Sequence, residues 1–117
     1  MNALLVFVGG GIGSVARYAL SLAMNGHGWP WGTMAVNVAG SFLIGALGTL
    51  GARMGWPEGA RLTLTVGLCG GFTTFSTFSN ECLALVRNGA YGVAAGYAGL
   101  SVALGLLAAL AGWWMFR

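Results

Sequence analysis

At 117 residues the chain has the length of one domain, 1–117, yet 57% of it is hydrophobic and 6% is charged. A soluble domain of this size exposes too much surface to water for so few ionic groups, so lipid is the implied solvent. The net charge of +3 comes from five scattered arginines with no lysine and no basic cluster, which excludes nucleic acid as a partner.

The charged residues Arg17, Arg53, Glu58, Arg61, Glu81, Arg87 and Arg117 divide the chain into long apolar runs. A spanning helix needs about 20 apolar residues, so the sequence predicts four spans joined by short loops. The first, 3–24, carries the run GGGIGS and the intramembrane Arg17. A loop at 25–32 follows, with Trp29 and Trp31 as interfacial residues. The second span, 33–52, holds Asn37 and a stripe of small residues, Ala35, Ala39, Ser41 and Gly45, before Gly55, Trp56 and Pro57 make a turn.

The third span, 60–87, differs in its middle, where GLCGGFTTFSTFSNE replaces aliphatic side chains with glycines and hydroxyls. Gly70 and Gly71 each weaken a helix by roughly 1 kcal/mol relative to alanine, so a break is expected there, with tight packing as the competing account. Beyond it Thr73, Thr77 and Asn80 share one face, beside a row of Phe72, Phe75 and Phe78. A hydroxyl in a helix can bond to the carbonyl four residues back, but the density of polar groups over 73–81 exceeds what that accounts for. The fourth span, 90–115, repeats small residues at Gly92, Gly96, Ser101, Gly105 and Ala109 and ends at Trp113, Trp114 and Arg117.

Asn37 must satisfy two donors and an acceptor in hydrocarbon, either as a link between helices or toward a ligand. Phenyl rings present a positive edge, so donors beside Phe75 and Phe78 describe a path for an anion. No enzyme constellation is present: His27 is the lone histidine and the two acids are far apart in sequence. The run 9–13 is not a dinucleotide fingerprint, because that spacing would place Ser14 at the last glycine; it reads as helix-packing sequence. Cys69 and Cys82 lie about 20 Å apart along one helix and cannot pair within the chain.

Three segments, GGGIGSVARY (9–18), GTMAVNVAGSFLIG (32–45) and GLCGGFTTFSTFSNE (67–81), give the chain an end-to-end resemblance to the Fluc (CrcB-type) fluoride channels. Ser14 and Met34 stand where that family usually has alanine and leucine. The resemblance implies an all-α membrane protein of four helices, the third broken near its middle, assembled as an antiparallel homodimer of dual topology. It implies passive export of cytoplasmic fluoride through two pores across the cell inner (plasma) membrane. Phe75, Phe78, Asn37, Ser76 and Thr77 match the family's pore positions, and Thr33, Tyr97 and Ser101 match by position. The carbonyls of Gly70 and Thr73 match those that hold a structural sodium ion, Na+. Glu81 matches an acid at the end of the track, and Arg17 an arginine near the vestibule.

Two other classes share this outline. A small drug and proton antiporter needs an intramembrane carboxylate, and the first span has none. A non-transporting membrane subunit would use the same glycines for packing alone.

With an even number of spans both termini share a side, which carries Arg53, Arg61 and Arg117 against Arg87 on the other, joined by Arg17 if its side chain snorkels outward. Three against one or two is a weak bias, so the chain is expected to insert in both orientations, and an antiparallel pair is the simplest closed assembly. Accessibility labelling of tags at both termini should report two populations; one orientation alone would overturn this expectation.

Overall fold

The computed structural model describes residues 1–24 and 30–117. The loop reading for 25–29, with Trp29 and His27, lies outside the described residues. Three long helices, α1 (Asn2–Met24), α2 (Trp31–Met54) and α6 (Tyr91–Phe116), are long and apolar enough to cross a membrane. Even the shortest, at 23 residues, extends about 35 Å at 1.5 Å per residue, more than the hydrocarbon core of a bilayer. Their large apolar side chains point outward, including Phe7, Ile12 and Val15 on α1 and Leu106, Leu107 and Leu110 on α6. That arrangement is stable only in an apolar solvent.

Between α2 and α6 the chain forms α3 (Glu58–Leu62), a π-helical segment (Thr63–Cys69), α4 (Gly70–Phe72) and α5 (Ser76–Arg87). Thr63 and Thr65 each donate a hydroxyl bond to the carbonyl four residues back, Gly59 at 2.7 Å and Arg61 at 2.6 Å. Both bonds fall where the α-helix gives way to the wider π turn. The helical path stops at Phe72, Thr73 is extended at φ −90° and ψ 158°, and helix resumes at Ser76. Gly70 and Gly71 are therefore helical, and the interruption begins at Thr73, beyond both glycines. Thr73 consequently lies outside the helix that carries Thr77 and Asn80, so these three do not form one helical stripe.

Gly71 packs instead of breaking. A Cβ built on it would collide with the backbone of Gly10, and one on Gly67 would lie 2.9 Å from Val6 O. A Cβ on Gly9 would lie 2.5 Å from Thr63 O, and one on Gly13 would strike Leu68 O and Phe72 N. Glycines four residues apart on α1 (Gly9, Gly13) thus face glycines four apart in the second segment (Gly67, Gly71), the spacing that lets two backbones touch in a membrane. Contacts advance together along both chains, from Leu5 beside Gly59 to Gly13 beside Phe72, so the two run parallel.

The other pair, α2 with α6, is built in the same way and is the most extensive helix contact. Gly45 meets the backbone of Ala109, Gly112 meets Phe42 and Ala46, and Gly105 approaches Ser41 Oγ. Gly92, by contrast, faces open space. Gly55, at φ +66°, ends α2 in the left-handed conformation, and the Trp56 N–H then donates to Gly51 O at 2.9 Å.

Gly13→Val should lower the thermal midpoint of the detergent-purified protein by many degrees or prevent its recovery, because backbone on the facing helix cannot retreat. Gly11→Ala should be neutral or stabilising by up to about 1 kcal/mol, since a Cβ there meets nothing within 4 Å. Equal behaviour of the two variants would contradict the close-packed interface.

Candidate functional site

Main chain that leaves a helix in an apolar medium needs new hydrogen-bond partners. Asn37, half-buried on α2, supplies both kinds to Thr74. The Thr74 N–H donates to Asn37 Oδ1 at 3.0 Å, and Asn37 Nδ2 donates to Thr74 O at 3.3 Å. The Thr73 N–H and Thr73 Oγ1 both donate to Cys69 O at 3.0 Å, closing the end of α4. The Thr73 methyl nests against Gly40, where a Cβ would leave it no room. On the other side, the Thr77 N–H donates to Thr74 Oγ1 at 3.2 Å, capping the first turn of α5.

Arg17 points inward, and its Nε donates to Gly71 O at 3.2 Å. The outward, snorkelling orientation is therefore corrected: the guanidinium satisfies the last turn before the interruption. Asn37 from α2 and Arg17 from α1 thus hold the same few residues from two sides.

Beside the interruption lies a cleft of about 300 Å³ lined by Asn37, Gly40, Ser41, Thr73, Thr74, Phe75, Phe78, Ser101 and Cys69, with Ile44 and Val102 at its apolar edge. Ser101 is buried on α6, and its Oγ has no hydrogen-bond partner among the described residues. The Asn37 amide has a second hydrogen beyond the one given to Thr74. Aromatic rings form a run beside the cleft: Phe75 and Phe78 have centroids 6.0 Å apart, and Phe78 and Tyr97 5.1 Å apart. Tyr97 is fully buried, whereas Phe75 is 78% exposed.

Toward the start of α2, Thr33 Oγ1 donates to Glu81 Oε1 at 2.5 Å, with the Tyr97 hydroxyl against the same pair. Thr33, Glu81 and Tyr97 thus form a second polar group, linked to the cleft through Phe78. The structure brings Asn37, Thr73, Phe75, Phe78 and Ser101 together at the cleft and places Thr33, Glu81 and Tyr97 in this second group. Ser76 lies on the exposed face of α5, and Thr77 is not among the cleft residues. Gly70 is exposed, on the opposite side of α4 from the contact with α1.

Sequence reading passed over Thr74 and Gly40. Thr74 stands among several hydroxyls with nothing in the spacing to single it out. Gly40 interrupts the second span at the level where Asn37 emerges, and that proximity was its one signal.

Residues 4–113 match the family described as CrcB-like protein, Camphor Resistance (CrcB). The chain is 51% identical to the fluoride-specific ion channel FluC of Phocaeicola vulgatus, over 96% of its own length and 95% of that protein's. It is 49% identical to the protein of the same name from Bacteroides fragilis, over 92% and 89% of the two chains. The protein of that name from Bordetella petrii is 48% identical, over 87% and 80%.

Thr33→Val keeps the shape of the side chain and removes the donor to Glu81. It should lower stability by about 1–3 kcal/mol, while Thr33→Ser stays near the parent. Chemical denaturation in mixed detergent would measure both, and a harmless valine would show that the Thr33 to Glu81 bond contributes nothing.

Proposed function

Because this chain belongs to the CrcB family, we propose that it is the subunit of a fluoride-selective channel, in which the cleft beside the interruption is part of the ion path. The observation that carries this reading is the meeting, within one apolar chain, of spare donors and phenyl rings at a single cleft. Asn37, which keeps a second amide hydrogen, and Ser101, whose buried hydroxyl has no partner among the described residues, line one cleft with Phe75 and Phe78.

Fluoride is small and strongly hydrated, so a selective path has to replace its water with short-range donors. Amide and hydroxyl hydrogens do this best for the smallest halide, because attraction falls with the distance between charges. Phenyl edges add weak positive potential without a competing negative group. Ser76, Thr77, Thr33 and Tyr97 extend the track on either side of the cleft, and flow is passive, driven by the fluoride gradient out of the cytoplasm. Arg17 adds positive potential near its entrance, and Glu81, held by Thr33, closes its far end.

The stretch from α3 to α5 is the third of four crossings in chain order, broken within the membrane at Thr73, and the protein is a multi-pass component of the inner (plasma) membrane. Phe75, Ser76, Ser79 and Asn80 are exposed on a single chain, which hydrocarbon does not tolerate for the polar members. A second copy, inserted with the opposite topology, covers this face and completes two pores in an antiparallel homodimer. The exposure of Gly70 supports a place for this residue on that shared face.

A central sodium ion fits the donors at the break. In a helix Gly70 O would accept from the Thr74 N–H and Thr73 O from the Thr77 N–H, and both amides are engaged elsewhere. Two carbonyls from each copy supply hard oxygen ligands to a monovalent cation, which when bound supplies fixed positive charge between the pores.

Purified protein in liposomes should release fluoride rapidly and hold back chloride. Phe75→Ile, which keeps an apolar side chain but removes the ring edge, should slow fluoride release at least tenfold. A fluoride-selective electrode reads both. Free passage of chloride, or no flux of either ion, would defeat the channel reading, and unchanged flux in Phe75→Ile would remove that ring from the path.

A further inference from the structure

Every main-chain amide near the interruption has one natural destination in a continuous helix. Two of them are diverted, and both diversions end on side-chain oxygens. The Thr74 N–H goes to Asn37 Oδ1 rather than Gly70 O, and the Thr77 N–H goes to Thr74 Oγ1 rather than Thr73 O. Of the other amides, the Thr73 N–H still closes onto Cys69 O at 3.0 Å, and the Ser79 N–H onto Phe75 O at 2.8 Å. The two amides that Gly70 O and Thr73 O would accept from in a continuous helix are thus both held by side chains.

We propose that Thr74 is the positioning residue of the cation site, its hydroxyl and amide keeping the two ligand carbonyls free before any cation binds. This rests on the sodium reading of the same carbonyls given above. Thr74 acts on both. Its hydroxyl holds the competing amide of Thr77, and its own amide is held by Asn37, which also accepts no other main-chain role at the break. Arg17 engages Gly71 O and leaves Gly70 O alone. Because the diverting groups belong to the folded chain, the break does not depend on the ion to hold it open. The cation enters a preformed pair of oxygens and does not have to displace two helical hydrogen bonds to reach them.

An ordinary helix cap at Thr74 would stabilise the protein to the same extent at every sodium concentration. A positioning role instead alters the sodium dependence itself. The test is thermal unfolding of the full-length protein in detergent, titrated with sodium chloride against N-methyl-D-glucamine chloride at constant ionic strength. The parent protein should be stabilised in a saturable way. Thr74→Ser, which keeps the acceptor oxygen, should show the same half-saturating concentration. Thr74→Val, which keeps the shape and loses the oxygen, should need at least ten times more sodium.

If Thr74→Val is less stable by an equal amount at every sodium concentration, with an unchanged midpoint, the hydroxyl is a cap and the proposal is overturned. If the parent protein itself ignores sodium, the cation reading falls and this inference falls with it, whereas fluoride flux in liposomes still judges the channel reading separately. Should Thr74→Val fail to fold, nuclear magnetic resonance of the parent protein decides the matter. The amide resonances of Thr74 and Thr77 should keep their positions when sodium is exchanged for N-methyl-D-glucamine. Their movement to the positions of helix-bonded amides would mean that the ion, and not Thr74, holds the break open.

Discussion

The structure turns on three residues of main chain that leave a helix where there is no water to receive their polar groups. Thr73, Thr74 and Phe75 interrupt the path from α4 to α5, and each exposed amide or carbonyl has to be matched by something brought from elsewhere. Asn37 answers Thr74 twice, as donor and as acceptor, and Arg17 answers Gly71. An unmatched group in hydrocarbon costs several kcal/mol, so these bonds fix where α1 and α2 must lie relative to the interruption. The polar residues that looked anomalous in apolar spans are the ones that make the irregular backbone tolerable.

Reaching those partners requires helices closer than ordinary side chains permit. Gly9 and Gly13 against Gly67 and Gly71 bring two backbones into contact, and Gly45 against Ala109 does the same for α2 and α6. There is no hydrophobic drive between helices in lipid, so close packing, joined in the first pair by the Arg17 to Gly71 bond, holds these pairs together. The close approach of Gly10 to Gly71 is also what sets Arg17, nearly two turns further along α1, within reach of the Gly71 carbonyl. Packing and site geometry are in this way one problem, solved by the same glycines.

In the channel proposed above, selectivity for a small anion draws on what is left over once the backbone is satisfied. Asn37 uses one amide hydrogen on Thr74 and keeps one, and Ser101 stays buried against the cleft with its hydroxyl unclaimed among the described residues. The aromatic run from Phe75 through Phe78 to Tyr97 separates this cleft from the Thr33 and Glu81 pair while touching both groups. Such a layout suits an ion that exchanges hydration for a few donors at a time, since no single position binds it completely.

Much of this follows from composition and spacing. The scarcity of charge made lipid the solvent, the apolar runs placed the three long helices, and the run at 9–13 announced helix packing, because each depends on residue type alone. Residue chemistry marked the polar stretch 67–81 with Asn37, Phe75 and Phe78, and the resemblance in three motifs matched these to pore positions. What one dimension did not settle was which of two competing uses a residue takes. Gly71 could break a helix or pack one, and the presence of Gly10 across the contact decides for packing, while the interruption falls at Thr73. Arg17 could reach outward to water or inward to a carbonyl, and the free Gly71 oxygen beside it decides for the latter. Thr74, one hydroxyl among many in the sequence, becomes distinct because α2 sets Asn37 opposite its amide. The chain dictates which groups must be satisfied; which partner satisfies each depends on distance, and distances between remote segments exist only once the helices have packed.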